Sequence, residues 1–218
     1  PIWRFARERR LRHGASTMSL AAPNALFSAI TLGDLEAARA ALEGGVDVTE
    51  TDTYDTSSLS YACMESCDAA LVKLLLESGA DVDRANRDWR TPLHYACREG
   101  ALDLVRLLVE HGAAIDPADD GASTPLLHAC LRGHVEVARL LVEHGAAVNQ
   151  VNKAGMTPLR LSCKRGHLEL VQLFSSHGAD RGTRTAGGML SQAEHEAKTA
   201  GHTRVVQWLQ QTHTTLRV

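Results

Sequence analysis

Five cysteines and eleven histidines are the side chains of this 218-residue sequence best suited to bind a metal or to catalyse a reaction. Thiolates and imidazoles are preferred ligands of zinc, and both can serve as a nucleophile or a base. Such chemistry needs these groups at motif spacing. The sequence contains no H-E-x-x-H zinc motif, no phosphate-binding loop and no dinucleotide-binding fingerprint. We therefore predict no catalytic residue, no metal site, no cofactor and no small-molecule substrate.

Four of the cysteines instead recur at a nearly constant interval. Cys63, Cys97, Cys130 and Cys163 follow one another at steps of 34, 33 and 33 residues. If each belongs to a separate packed helix, the helix axes lie roughly 8–10 Å apart, which is too far for a disulfide or a shared zinc ion. The spacing predicts four small, buried, reduced thiols. Cys67 is out of phase, and we predict that it is an exposed thiol without a role.

The cysteine interval is part of a longer internal repeat. The heptapeptide TPLHYAC begins at Thr91, TPLLHAC begins at Thr124 and TPLRLSC begins at Thr157, each 33 residues after the last. A fainter copy, SSLSYAC, begins at Ser57. Two further markers keep the same period, which excludes coincidence. They are a His-Gly-Ala tripeptide beginning at His111, His144 and His177, and a single glycine at Gly100, Gly133 and Gly166.

A 33-residue period that carries T-P-L-H-x-A resembles the ankyrin repeat family, and the resemblance extends over about residues 24–211. It implies an all-α solenoid in which stacked helix-turn-helix units are joined by hairpin loops. The second repeat carries one extra residue around Ser66-Cys67-Asp68. The predicted organisation is a basic, disordered arm at 1–22, one ankyrin domain at 23–212 with repeats at 23–51, 52–85, 86–118, 119–151, 152–184 and 185–212, and a frayed C-terminus at 213–218.

Each unit has the residues that begin and end helices. Thr91 is suited to cap a first helix, and Pro92 is suited to its first turn because that position needs no N–H donor. Gly100 is suited to end this helix. A second helix is predicted from about Leu102 to His111, because its leucines and valines recur at helical spacing. One such pair cannot bury its apolar stripe alone, so the units must stack.

The histidines are predicted to have structural roles. Those that end the second helices, His111, His144 and His177, can donate to the unpaired carbonyls of the last turn. The resemblance implies that His94 bonds to the local backbone. It also implies that the histidines after the inter-helix glycines bridge to the neighbouring loop; these are His134, His167 and His202.

Charge is unevenly distributed along the chain, although the net charge is only −3. Residues 1–13 hold five arginines and one glutamate, residues 14–83 hold twelve acids and two bases, and residues 84–218 hold thirteen acids and sixteen bases. A pI of about 6.4 gives no general case for binding nucleic acid or membranes. No apolar run reaches the roughly 20 residues that span a bilayer, so no membrane association is predicted.

The arm that precedes the repeats has several interpretations. Residues 1–17 could precede a natural start at Met18. Because the arm is rich in arginine and poor in acids, it could also direct nuclear import, bind nucleic acid or act as a transit peptide. We favour a disordered segment that the fold does not need.

The resemblance implies a partner protein on the concave side, touched by the hairpin tips and the exposed ends of the first helices. When residues are assigned to this surface by their equivalent positions in successive repeats, its N-terminal end is acidic and its middle is basic. Tyr54 and Trp89 are the predicted anchors, since tyrosine, tryptophan and arginine dominate interface hot spots. The candidate partner-binding residues are Tyr54, Asp55, Glu65, Arg87, Trp89, Arg90, Arg98, Arg132, Lys153, Lys164 and Arg165.

The predicted function is a non-enzymatic, monomeric scaffold or adaptor that works inside the cell, in the cytoplasm or nucleus. The basic middle predicts a partner with an acidic or phosphorylated segment. Two alternatives stay open: a regulatory or inhibitory subunit of a kinase or ubiquitin-ligase complex, and a nucleic-acid binder that uses the arginine arm and the basic repeats. The resemblance also implies asparagine hydroxylation, for which Asn149 is the candidate. Because Ala147 stands where an acidic residue is usual, we favour the alternative that Asn149 only forms a turn.

Overall fold

The computed structural model describes residues 25–182 and 191–215, and within them the chain forms helices and loops with one isolated β-bridge, Thr51 to Ser57. We number the helices in chain order. They are α1 (Ala25–Leu32), α2 (Leu35–Glu43), α3 (Ser58–Tyr61) followed by a π turn (Ala62–Ser66), α4 (Ala69–Glu77), α5 (Pro92–Glu99), α6 (Leu102–Glu110), α7 (Pro125–Arg132), α8 (Val135–Glu143), α9 (Pro158–Arg165), α10 (Leu168–Ser176), α11 (Gln192–Thr199) and α12 (Thr203–Thr215).

The helices associate as successive pairs, α1/α2 to α11/α12, which we call units one to six. In units one to five, a turn of two residues joins the first helix to the second, as Gly100 and Ala101 join α5 to α6, and in unit six the turn has three residues, 200–202. Between units, the first helices contact one another in chain order and the second helices do the same. This two-layer stack is the all-α repeat solenoid that the sequence predicted.

The core is a continuous layer between the first and second helices. In units two to five, each first helix contributes a fully buried leucine at the same position, and the facing second helix contributes another large apolar side chain. The leucines are Leu59, Leu93, Leu126 and Leu159, and the facing residues are Leu75, Leu108, Leu141 and Phe174. Because every unit repeats the same small set of contacts, the core runs along the stack and needs few aromatic side chains.

The predicted column of buried cysteines is confirmed. Cys63, Cys97, Cys130 and Cys163 are fully buried one per first helix, and none forms a disulfide. Burial raises the pKa of each thiol well above its usual value, so all four remain protonated at neutral pH. They pack as small apolar residues.

The last described helix closes the stack. Val205 and Leu209 of α12 are buried, whereas Gln207 is exposed, as predicted for a capping helix with a polar outer face. Arg181 holds α12 against the stack: its Nη2 donates to Thr212 Oγ1 at 2.9 Å, and its guanidinium lies 5.8 Å from the centre of the Trp208 ring.

The predicted arm at 1–22 lies outside the described residues. At the other end of the chain, α12 continues to Thr215.

The extra residue of the second repeat is accommodated differently from the prediction. We expected it in the turn around Ser66-Cys67-Asp68, but the structure places it inside the first helix, where Ala62–Ser66 form a π turn. A π turn takes up one added residue without ending the helix. Cys67 therefore falls at the position that Gly100 holds in the next unit, and it adopts the left-handed conformation with φ 50°.

Replacing Cys67 with glycine should stabilise the protein. A non-glycine residue in the left-handed region costs about 1–2 kcal/mol, and glycine removes most of that strain. Cys67→Ala is the matched control, since it removes the thiol and its hydrogen bond to the carbonyl of Cys63 but keeps the strain. In urea titrations we expect Cys67→Gly to exceed Cys67→Ala by about 1 kcal/mol. Equal stabilities would show that the π turn relaxes this backbone position.

Candidate functional site

The hairpin loops end in tips that share one side-chain-to-backbone motif. In four successive units, an Asp or Asn five residues before the helix cap accepts two backbone N–H groups, two and four residues further on, at 2.7–3.0 Å. Because both donors lie in the same loop, each side chain fixes the turn that carries the tip. Sequence analysis missed these residues, although their common phase was a usable signal. They are Asp52, Asn86, Asp119 and Asn152.

Backbone hydrogen bonds join each tip to the next. The N–H of Arg87 donates to the carbonyl of Tyr54 at 3.2 Å, that of Asp120 to Asp88 at 2.9 Å, and that of Lys153 to Gly121 at 2.9 Å. The four tips therefore form one continuous surface. We call it the tip row, and it consists of residues 52–55, 86–89, 119–122 and 152–155.

The fourth and last residue of every tip has a left-handed backbone. The φ angles are 59° at Asp55, 59° at Trp89, 56° at Ala122 and 71° at Gly155. This conformation suits glycine, is tolerated by aspartate and is unfavourable for a bulky side chain. Trp89 is thus held in a strained backbone while 67% of its surface is exposed, and Tyr54 on the preceding tip is 57% exposed.

Two of the predicted basic residues, Arg87 and Arg90, form ion pairs with acidic residues of the tips. Arg87 Nε lies 2.9 Å from Asp55 Oδ2 on the preceding tip. Arg90 Nη1 lies 3.3 Å from Asp88 Oδ2, and its Nε lies 3.6 Å from Asp119 on the next tip. These ion pairs help to align successive tips, and they reduce the positive charge available to a partner.

The other candidates lie at the ends of the first helices or on the last tip. Arg98 pairs with Glu99 at 3.0 Å and lies over the Tyr95 ring at 5.9 Å, and Glu65 is half-buried in the π turn. Four of the predicted candidates are exposed basic residues that form no ion pair within the part of the chain that the structure describes. They are Arg132, Lys153, Lys164 and Arg165, so the unpaired positive charge among the predicted candidates lies in units four and five.

A buried polar network lies under the tips of units three and four, residues 86–89 and 119–122. His94 Nδ1 accepts the N–H of Thr91 at 3.1 Å, and Nε2 lies 3.1 Å from the carbonyl oxygen of Ser123, to which it donates. His128 Nε2 lies 2.9 Å from Asp119 Oδ2, and the two imidazole rings meet edge to face at 5.3 Å. The network confirms the local backbone bond implied for His94, and it adds an unforeseen link to the next unit.

Burial keeps both imidazoles of this network neutral. Burial, and after it the neighbouring His128, lower the pKa of His94 to about 4. The pKa of His128 is also lowered, chiefly by burial. The pKa of Asp119 is lowered because hydrogen bonds from His128 and Ser123 outweigh burial, which alone would raise it. The network is therefore a pH-sensitive structural contact beneath the tip row.

The remaining histidines connect neighbouring units and helix ends. His134 Nε2 donates to the carbonyl of Arg98 at 3.1 Å and His202 Nε2 to that of Lys164 at 3.1 Å, which confirms two of the three implied bridges. His167 Nε2 is buried without a hydrogen-bond partner among the described residues. The histidines at the ends of the second helices bond to the last turn, as predicted. In each, Nδ1 lies 2.8 Å from the backbone carbonyl oxygen four residues earlier; these histidines are His111, His144 and His177.

Asn149 has a structural contact on both sides of its amide. Its Oδ1 accepts the N–H of Asp180 at 2.8 Å, and Nδ2 lies 3.5 Å from the carbonyl of Gly178. Asp116 and Asp83 make the equivalent contact one and two units earlier, respectively. Asparagine hydroxylation at this position stays a prediction.

Within 25–182 and 191–215 no group of three or more His, Cys, Asp or Glu side chains could hold a metal ion. No helix in the described segments is long and apolar enough to cross a membrane.

The architecture agrees with one family model. The model for ankyrin repeats, in three copies, matches residues 59–152 and 114–185, which together cover more than half of the chain. No curated protein matches the sequence. The first and last units extend beyond the matched region, so the count of six repeats stays a prediction. The period, the helix pairs and the family match lead to one conclusion: this chain belongs to the ankyrin repeat family.

Proposed function

We propose that this protein is a non-enzymatic scaffold or adaptor that binds a partner protein across the tip row. Ankyrin repeats generally mediate protein–protein interaction and are typically non-enzymatic. The single observation that carries the proposal is Trp89, a large exposed ring held on a strained backbone at the centre of a fixed surface. Strain of this kind persists at sites where the side chain has a use outside the fold.

Neighbouring tips support an anchor at this point. Tyr54 offers a second exposed ring one tip earlier, whereas Ala122 and Gly155 offer no bulk at Trp89's position on the later tips. Ion pairs and backbone bonds hold these loops in place before a partner arrives. A preformed surface loses little conformational entropy on association. Most of the free energy gained by burying the aromatic ring therefore contributes to binding.

The setting of the proposed function is an intracellular one, and the protein acts as a monomer. Five cysteines are unpaired and four are buried as thiols, which is typical of proteins from reducing compartments. A kinase-regulating or ubiquitin-ligase subunit would use the same tip row. These roles differ in what the partner carries, not in how this chain binds it.

Trp89→Gly tests the proposal, because it removes the ring and suits the left-handed backbone. We expect the variant to unfold at an equal or higher urea concentration, with a gain of about 0.5–1 kcal/mol. Its affinity for a partner isolated with the wild-type chain should fall by about 2 kcal/mol, or about 30-fold, in calorimetric titrations.

Leu32→Ala is the matched control, since Leu32 is an exposed apolar side chain on α1 outside the tip row. This variant should bind the partner as the wild type does. If Trp89→Gly is stable and binds with wild-type affinity, the tip row is not the binding surface.

A further inference from the structure

The two residues that end the first helices change from acidic to basic along the stack. In unit two they are Met64 and Glu65, at the π turn. In unit three, Arg98 and Glu99 neutralise each other at 3.0 Å. In the next three units this pair of positions contains no acid. The pairs are Leu131 and Arg132 in unit four, Lys164 and Arg165 in unit five, and Lys198 and Thr199 in unit six.

The basic end of this gradient is accessible and unpaired. We call it the cationic strip, and it consists of Arg132, Lys164, Arg165 and Lys198. All four side chains are exposed, and none forms an ion pair within the part of the chain that the structure describes. Lys198 was not among the residues predicted from sequence, because the last repeat lacks the Thr-Pro marker that sets its phase.

Two acids of α11, the helix that carries Lys198, are bound by other residues. Glu196 is bound by Arg160 at 2.8 Å, and buried Glu194 accepts the N–H of Ser191 at 2.6 Å. The pKa of His167 is lowered, first by burial and then by the positive charge of Arg165. The strip therefore keeps its positive charge for a ligand.

We propose that the cationic strip binds an acidic segment, made of aspartate and glutamate, of the partner protein. The inference rests on the proposed function, because the same partner would cover Trp89. Units repeat at about 10 Å, so the strip extends over about 20 Å from unit four to unit six. An extended chain rises about 3.3 Å per residue, which gives an acidic segment of about six residues.

Charge complementarity favours this occupant over nucleic acid. The strip is short, and at the equivalent positions unit two contains Glu65, whereas Arg98 of unit three is neutralised by Glu99. A long polyanion would be repelled as it extended past unit three, whereas a short acidic segment followed by apolar residues fits both the strip and Trp89.

The cations also stabilise the helix ends on which they lie, since basic residues in a last turn interact favourably with the helix dipole. That role alone would make charge reversal affect stability without affecting the binding of an acidic peptide. A binding readout therefore separates the two roles.

The test is fluorescence anisotropy of a labelled octaglutamate peptide with the full chain at low salt. We expect saturable binding that weakens steeply with added salt, and no binding of octalysine. Lys164→Glu/Arg165→Glu should weaken the affinity for octaglutamate by about tenfold or more. The control is Arg106→Glu/Arg204→Glu, which makes the same change in net charge on the second helices and should leave the affinity within about twofold.

Several outcomes would overturn the proposal. They are absence of octaglutamate binding, equal weakening in both double variants, or tighter binding of an oligonucleotide that Lys164→Glu/Arg165→Glu abolishes. Trp89→Gly should leave the octaglutamate affinity unchanged. A failure of the strip is thereby distinguished from a failure of the tip row.

Discussion

Replacement of Gly100 by alanine should lower the free energy of unfolding by about 3 kcal/mol. Gly100 has φ 74°, so any side chain there is strained. A Cβ atom at this position would also lie 2.4 Å from Nδ1 of His134, the first residue after the inter-helix glycine of the next unit. The imidazole is held by its hydrogen bond to the carbonyl of Arg98, so the added methyl group must displace it.

Gly112→Ala provides the matched control for this prediction. Gly112 has φ 85°, but no atom lies within 4 Å of a Cβ built there. In urea titrations, Gly112→Ala should lower the free energy of unfolding by about 1 kcal/mol, which is the cost of the backbone strain alone. In a double-mutant cycle, His134→Ala should reduce the cost of Gly100→Ala to the same value, because it removes the ring that blocks the methyl group. Equal costs for the two glycines would show that the ring moves aside freely.

Acidification from pH 6.5 to pH 4 should lower the free energy of unfolding by about 3 kcal/mol through His94. The unfolded chain takes up a proton near pH 6.5, whereas burial lowers the pKa of the folded imidazole to about 4. The unfolded state therefore binds more protons across this interval, and stability decreases as the pH falls. Protonation would also place a hydrogen on Nδ1, which accepts the N–H of Thr91.

The neighbouring groups act in the same direction. The lowered pKa of His128 adds to the loss of stability over the same range. The lowered pKa of Asp119 means that its carboxylate stabilises the fold above its unfolded pKa of 3.8 and that this contribution is lost at lower pH. Arg90 contributes a fixed positive charge that opposes protonation of both imidazoles.

The measurement is the slope of stability against pH, from urea titrations at half-unit steps. His94→Gln should flatten the slope between pH 6.5 and pH 4, whatever its effect on stability at neutral pH. His111→Gln replaces an exposed imidazole outside the network and should keep the wild-type slope. If His94→Gln also keeps it, the buried network is not the source of acid sensitivity.

The candidate site could be predicted only in part. The position of a residue within the repeat predicted that Trp89 and Tyr54 lie on loops and that the basic residues lie near helix ends. This reasoning works because equivalent positions of successive repeats adopt the same local structure. The same reasoning treated Arg87, Arg90 and Arg98 as free charges. Arg87 and Arg90 pair across tips, and a partner 32 residues away in sequence, such as Asp55 for Arg87, carries no local signal.

The amino-acid sequence by itself determined the period, the helix pairs, their caps and the buried cysteine column. These features depend on interactions between residues close in sequence and on the apolar pattern of each unit. The same pattern recurs in every repeat. Tertiary structure alone decided the π turn that absorbs the extra residue, the strained backbone of Trp89, the contact of Gly100 with His134 and the free charge of the cationic strip. Each of these depends on how one unit rests on the next, and a distance between units is set by packing across the whole interface.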